Sequence, residues 1–519
     1  MKAAHLSRHR DAVVIFFVVI VVTGFNLWQH RGDPPPGYTE FNRYGFSFFY
    51  PDNCALSEAV VYFKMPSYWL GDVQAESQGE SANLVGVVWG AGQASGLEEF
   101  TDQIIEEARK NSDVTGVDDG EYVKLGGKQV FKRRFALTGG GVTVPGLMAG
   151  WVSPEGRMFV LYNARVGEDE AWLLTQLRVM LRSLETEPPA KPMKLESYWP
   201  TDGWRFVKPE VLGLDGYMLQ GMVDDIMGSG FAVDSVLVVK DGYLVQEWYF
   251  NDYGNDVLHN VYSCTKSVVS TLVGIAIDRG EIDGVDALLL DLFPNNTPQN
   301  VDEWKESITL RDLLMMSAGF DARDSWLYEW EKLGDMHDAD DAVQYVLDLP
   351  MAFEPGSRFE YTNGVSHLLS CLITEKTGMS AAEYADEHLF GSLGITNYEW
   401  TADDAGRNWG YYSLSLRPRD MAKIGYLFLN DGEWDGEQLV SKGWVREATR
   451  HRIDANLRDG YGYQWWVDDD GYYLALGYMG QFIFVIPEHD IVAVFTGGTP
   501  ETFDYVIELP ERFIIPAAG

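Results

Sequence analysis

Val268–Ile277 is an almost unbroken apolar run, and Ser263-Cys264-Thr265-Lys266 stands directly ahead of it. The run reads as a helix buried along most of its length, with Val268, Val269, Leu272, Val273, Ile275 and Ala276 inside. Residues three apart on a helix share a face. Ser263 at its mouth therefore brings Lys266 within reach of its hydroxyl, in the only Ser-x-x-Lys of the chain. A serine hydroxyl is a weak nucleophile until a neighbouring base takes its proton. Burial lowers a lysine pKa by desolvation, and the helix N-terminus offers free N–H groups and partial positive charge where an oxyanion would form. A capping serine beside a surface lysine would give the same local pattern, so the pair needs support from elsewhere in the chain.

Two later segments supply it. Tyr361-Thr362-Asn363 follows the turn Phe353-Glu354-Pro355-Gly356-Ser357 and precedes a helix expected over Gly364–Lys376. A lysine ammonium beside a tyrosine favours the phenolate, which could accept the serine proton and pass it to a leaving group. Asn363 offers an amide to Lys266 or to substrate, though a buried Tyr and a helix-capping Asn fit the pattern as well. His367 is an alternative base, but it falls inside the same helix, and no Gly-x-Ser-x-Gly elbow accompanies it. Acyl transfer also needs two N–H donors aimed at the developing oxyanion. Ser263 supplies one. The Gly-containing strand Gly477-Tyr478-Met479-Gly480-Gln481 is the candidate for the other, at Tyr478.

Composition limits the remaining choices. At 519 residues, with 46% apolar, the chain calls for two or more cores. The formal charge of −38, from 78 acidic and 40 basic side chains, makes nucleic acid a poor partner. Cys54, Cys264 and Cys371 build neither a disulfide framework nor a Cys/His metal site. Cys264 reads as a small packing residue. No metalloprotease helix, P-loop or dinucleotide fingerprint is present, and no cofactor or metal is expected.

Residues 1–32 read as a cytoplasmic stub with a membrane or signal segment: Lys2, Arg8 and Arg10 precede the uncharged stretch Ala12–Gln29. An uncleaved anchor is favoured over a signal cut after Gly24, and either places the rest of the chain outside the cytoplasm. Asp33-Pro34-Pro35-Pro36-Gly37 is a stiff spacer. Residues 38–186 mix strands with a helix over Leu97–Lys110 and a closing amphipathic helix over Glu168–Leu184. Residues 187–199, with Pro188, Pro189 and Pro192, form a linker. Residues 200–519 open with a helix over Gly213–Met227 and a hairpin, Ser235–Lys240 and Tyr243–Phe250, turning at Asp241-Gly242. A mostly helical stretch reaches about Ala448. Strands follow at Tyr461–Val467, Tyr472–Tyr478, Phe482–Ile486 and Ile491–Thr496, then a terminal helical segment. Strands at both ends with helices between imply one antiparallel sheet built from both termini of the domain, an α+β class.

The opening Tyr44-Gly45-Phe46-Ser47-Phe48-Phe49-Tyr50-Pro51 and its element order resemble a PsbP-like domain, which implies a binding or spacer role for residues 38–186. The Ser263/Lys266, Tyr361/Asn363 and Gly477–Gln481 pieces resemble the serine β-lactamase and penicillin-binding-protein superfamily. The class C–like branch, with its esterases and 6-aminohexanoate-oligomer hydrolases, is the nearest in pattern. Supporting segments are Ser235–Phe250, Ile308–Gly319, Leu416–Ala422 and Ala475–Gln481. The resemblance implies a β-lactamase-like fold with Ser263 as nucleophile, Lys266 as catalytic lysine and Tyr361 as general base. Asn363 supports them from the second motif, and the Ser263 and Tyr478 N–H groups form the oxyanion hole. Where β-lactamases carry Lys-Thr-Gly, this chain has Ala475-Leu476-Gly477, so the groups that hold a β-lactam carboxylate are missing. The reading is a membrane-anchored extracytoplasmic serine hydrolase acting on small-molecule or short-peptide esters or amides. A penicillin-binding or sensor-like module with slow or absent turnover is the alternative. Trp326–Trp330 and Asn408–Tyr412 fit cleft lining and core packing equally.

Overall fold

The computed structural model describes residues 38–43, 46–51, 54–59, 71–77, 83–90, 96–111, 113–139, 142–153, 158–165, parts of 173–186, 195–251, 253–321 and 336–518. The expected membrane segment (1–32), the Pro-rich spacer, linker residues 187–194 and the aromatic segment 326–330 lie outside the described residues. Among the described residues, no helix is long and apolar enough to cross a membrane. The chain divides into two compact units. One comprises the described residues up to Lys191 with Gly213–Asp225 and Glu511–Gly519, and the other Pro192–Leu212 and Ile226–Pro510.

In the first unit, β1 (Tyr38–Arg43) pairs with β2 (Phe46–Pro51), and β2 pairs in turn with β11 (Glu185–Thr186). A larger sheet runs β3 (Cys54–Ala59), β4 (Gly71–Ser77), β5 (Asn83–Gly90), β10 (Met158–Arg165), β9 (Val142–Val152), β8 (Lys128–Gly139), β6 (Asp113–Thr115), with β7 (Glu121–Leu125) also paired to β8. Helix α1 (Leu97–Asn111) lays Phe100, Ile104, Ile105 and Ala108 onto Phe131, Phe135, Met148, Val160 and Tyr162. The helical spacing in the sequence is thus the buried face. Of the expected closing helix, Leu173, Leu177, Leu181 and Leu184 are buried.

In the second unit the sheet is antiparallel throughout. Its order is β13 (Tyr243–Tyr249), β12 (Val233–Lys240), β19 (Ile491–Gly497), β18 (Gln481–Ile486), β17 (Tyr473–Gly477), β16 (Trp466–Val467), β15 (Gly460–Tyr461), β14 (Ile453–Asp454). The amino-terminal hairpin therefore pairs with the last strand, as a sheet built from both termini requires. The β12/β13 turn puts Asp241 and Gly242 both at positive φ (50° and 81°), which is why Asp-Gly marks it. Strands β19 and β18 are buried at every position. Helix α2 (Cys264–Asp278) packs on β17 and β18, and helix α5 (Pro418–Leu429) packs on β19, β18 and β12. Such strands read as continuous apolar runs rather than alternation. Helices α3 (Leu310–Leu314) and α4 (Asn363–Thr377) complete the layer beside α2.

One expectation is overturned here. Tyr461–Val467 is not a single strand: β15 and β16 fold back on each other, closed by Gly462 N donating to Trp465 O with Gln464 at φ 62°. The aromatic run has strand propensity, but the bonds made by Gln464 hold a turn that the residue's own preferences do not favour.

Candidate active site

Ser263 sits immediately ahead of α2, after Tyr262, which is held at φ 44°. A bulky non-glycine residue in that region is strained, and here the strain falls beside the exposed end of the helix. Asn260 Oδ1 accepts the Tyr262 N–H at 2.9 Å and helps to hold the turn. One helical turn on, Lys266 is fully buried, and its Nζ lies 2.8 Å from Ser263 Oγ. The same nitrogen donates to Asn363 Oδ1 at 2.8 Å and to the Tyr411 carbonyl at 3.1 Å.

Asn363 is the first residue of α4. Thr362 takes the capping position, but its hydroxyl donates back to the Glu360 carbonyl at 3.1 Å and does not cap the helix. The Asn363 side-chain oxygen is engaged by Lys266 and caps nothing. Tyr361 is buried, hydrogen-bonded to the Ser263 hydroxyl, and its ring centroid is 4.8 Å from Lys266 Nζ. Trp466 stacks on it at 5.9 Å, and Tyr461 and Phe359 close the same aromatic wall. Ninety-seven residues of chain separate Lys266 from Asn363, yet their side chains touch.

The protonation expected for Tyr361 is corrected by this shell. Desolvation pushes the phenol well above its ordinary pKa, and the Ser263 hydrogen bond offsets that only in part. Burial thus favours the neutral phenol, against the preference the nearby lysine gives the phenolate.

On the other side of Ser263, Gly477 ends β17. A Cβ there would lie 2.4 Å from the Val261 carbonyl. Glycine alone permits this approach of strand to nucleophile turn. It sets Tyr478 next to Tyr262, edge-on at 5.7 Å. Cys264 is buried, its Sγ 3.4 Å from the Gln481 carbonyl, and burial raises its thiol pKa, consistent with packing. His367 is fully buried with Asp403, Cys371 and Trp409 around it, and burial lowers its pKa.

Sequence reasoning missed the role of Tyr411. Its contribution to Lys266 is a backbone carbonyl, which carries no side-chain signature. Its ring, 5.6 Å from Lys266 Nζ, is buried, and its hydroxyl is hydrogen-bonded to His337. Part of Asn408–Tyr412 thus does line the site.

The Beta-lactamase family model matches residues 219–509, more than half of the chain and all of the residues just described. The chain belongs to the beta-lactamase family. It is similar to 6-aminohexanoate-dimer hydrolase of Paenarthrobacter ureafaciens, 24% identical over 291 residues, covering 52% of this chain and 73% of that protein. It is also similar to Esterase EstB of Burkholderia gladioli, 26% identical over 152 residues, or 27% of this chain and 38% of that one. A solved penicillin-binding protein homolog from Caulobacter crescentus covers 55% of this chain and 91% of its own, at 14% identity and a TM-score of 0.45. As a member of the beta-lactamase family with hydrolase and esterase relatives, the protein is a serine hydrolase.

Proposed function

We propose that the protein hydrolyses small-molecule or short-peptide esters or amides through an acyl-enzyme on Ser263. The observation that carries this reading is the Lys266 amino group, buried and 2.8 Å from the Ser263 hydroxyl. Two further oxygens it meets, from Asn363 and Tyr411, are carbonyls. An ammonium can donate to all three. A neutral amine can donate to the two carbonyls and accept the Ser263 proton with its lone pair, so the surroundings suit both states.

In the proposed cycle Ser263 Oγ attacks the substrate carbonyl carbon and its proton passes to Lys266. The N–H groups of Ser263 and Tyr478 hold the oxyanion. Tyr361, a phenol in the resting enzyme, gives its proton to the departing alkoxide or amine and recovers one from Lys266. Water then attacks the acyl carbonyl by the same path, releasing the acid and restoring Ser263. Ala475-Leu476-Gly477 provides no cation for a substrate carboxylate, which favours esters and simple amides over β-lactams.

The test is labelling of the full chain with a fluorophosphonate, followed by a screen of p-nitrophenyl esters, 6-aminohexanoate dimer and a chromogenic β-lactam. Labelling of wild type and not of Ser263→Ala is expected, with turnover of an ester or amide. Equal labelling of both proteins would remove Ser263 from the mechanism. Labelling without turnover of any substrate would assign a binding role instead. Tyr361→Phe is expected to slow acylation by roughly 10²–10⁴-fold, and unchanged acylation would remove Tyr361.

The proposal extends to the rest of the chain. Residues 1–32 anchor the protein with its hydrolase unit outside the cytoplasm, as the basic residues ahead of the apolar run suggest. Residues 38–186 form a PsbP-like binding or spacer domain, a reading supported by an antiparallel sheet with helix α1 packed on it.

A further inference from the structure

Gln464 is buried, at positive φ (62°), in the β15/β16 turn, and every polar group of its amide and backbone is engaged. Its backbone N–H donates to the Leu314 carbonyl at 3.0 Å. Its side-chain nitrogen donates to the carbonyls of Leu313 and Leu314 at 3.1 and 2.9 Å, at the end of α3. Its side-chain oxygen accepts from Ser366 Oγ at 2.8 Å, in the first turn of α4. Its backbone carbonyl accepts from Ser267 Oγ at 2.7 Å, in α2. Ser267 is the residue after Lys266. Ser366 lies three residues after Asn363, on the same helix face.

We propose that Gln464 is a positioning residue for the acyl-transfer site, setting the spacing between α2 and α4 and through it the contact of Lys266 with Asn363. This rests on the catalytic reading of Ser263 and Lys266. The tie is short, buried and made to both helices within one turn of the reacting groups. A buried residue in a sparsely populated backbone region persists only where its surroundings over-determine it, and five hydrogen bonds do so here. When the tie is cut, Asn363 Oδ1 drifts from Lys266 Nζ. The lysine then loses an acceptor that favours its charged form, so its pKa falls and the acid limb of the rate profile moves to lower pH.

The test compares Gln464→Gly, which accepts the positive φ, with Asn363→Ala and with the double variant, all in the full chain. The readouts are the fluorophosphonate labelling rate against pH, with circular dichroism as the check on folding. Gln464→Gly should label about 10–100-fold more slowly, with its acid limb displaced in the same direction as in Asn363→Ala. In the Asn363→Ala background it should cause little further slowing or displacement, because both act on the same contact. Effects that multiply in the double variant, or slower labelling with an unmoved pH limb, would overturn the proposal. Should Gln464→Gly fail to fold, Ser366→Ala replaces it, with a smaller effect of about 3–10-fold in the same direction and the same non-additivity with Asn363→Ala. Labelling of Ser263→Ala at the wild-type rate would instead overturn the catalytic reading itself, whatever the Gln464 variants do.

Discussion

Lys266 and Lys305 are both fully buried, and each amino group donates to or meets oxygens from at least three residues, yet the proposed mechanism asks only Lys266 to exchange a proton. Lys305 Nζ donates to the carbonyls of Gln299, Leu347 and Leu349 at 2.7, 2.8 and 2.7 Å. Carbonyl oxygens only accept, so this cage suits the ammonium and nothing else. Burial lowers the Lys305 pKa, but a neutral amine would leave one carbonyl unpaired and a lone pair pointing at oxygen. Lys266 has one carbonyl fewer and a hydroxyl in its place. In the proposed cycle that hydroxyl is the group with which Lys266 exchanges its proton. On that reading a buried lysine is made reactive by the chemistry of its partners, and depth of burial alone does not decide it.

Three substitutions would break or sharpen the contrast. Lys266→Met has the largest expected effect: acylation by a p-nitrophenyl ester falls about 10³–10⁴-fold per folded molecule. Lys305→Met should leave the rate per folded molecule near wild type while lowering unfolding stability by about 2 kcal/mol, since it strands the buried Leu347 carbonyl and the partly buried acceptors at Gln299 and Leu349. Urea denaturation and active-site titration on the same samples separate the two. An inactive but stable Lys305→Met would erase the distinction.

Asp234 gives the smallest effect and a different lesson, that of a buried charge with no cage. Its Oδ2 lies 3.7 Å from His259 Nδ1, beyond hydrogen-bonding distance, and His259 Nε2 is buried without a partner. Burial raises the Asp234 pKa to about 6 and lowers that of His259 to about 4. The folded state thus keeps the Asp234 proton that the unfolded chain releases at ordinary carboxylate values. The resulting stabilisation is present in acid and lost as pH rises through 6. The His259 contribution runs the other way, present above its ordinary value and lost as pH falls through 4. The two oppose each other between. Asp234→Asn removes the first alone, so the variant should be more stable than wild type at pH 7 by roughly 1–2 kcal/mol. The gap should close toward pH 4. A variant less stable at pH 7 would mean that the charged carboxylate is usefully paired.

The parts of the site legible in the sequence were those set by local geometry. Ser263 and Lys266 are one helical turn apart, so their contact follows from helix formation. The Asp241-Gly242 turn and the buried face of α1 follow from equally short-range rules. Tyr361 and Asn363 were legible as types in an order, but their distance from Lys266 was not. The Tyr411 carbonyl was invisible because every residue has one. The β15/β16 hairpin was hidden because aromatic residues favour strands and glutamine does not announce a turn. The upward shift of the Tyr361 phenol was not legible because only its neighbour's charge could be read from the chain, and the aromatic shell that desolvates it could not.

By itself the sequence determined which chemical groups are present, which segments bury an apolar face, and that a serine and a lysine meet at one helix mouth. Those outcomes depend on contacts a few residues long. The tertiary structure alone decided which oxygens surround each buried nitrogen and how far each ionisable group is withdrawn from water. Partners and dielectric are set by chain segments up to hundreds of residues apart, and they fix which protons can move.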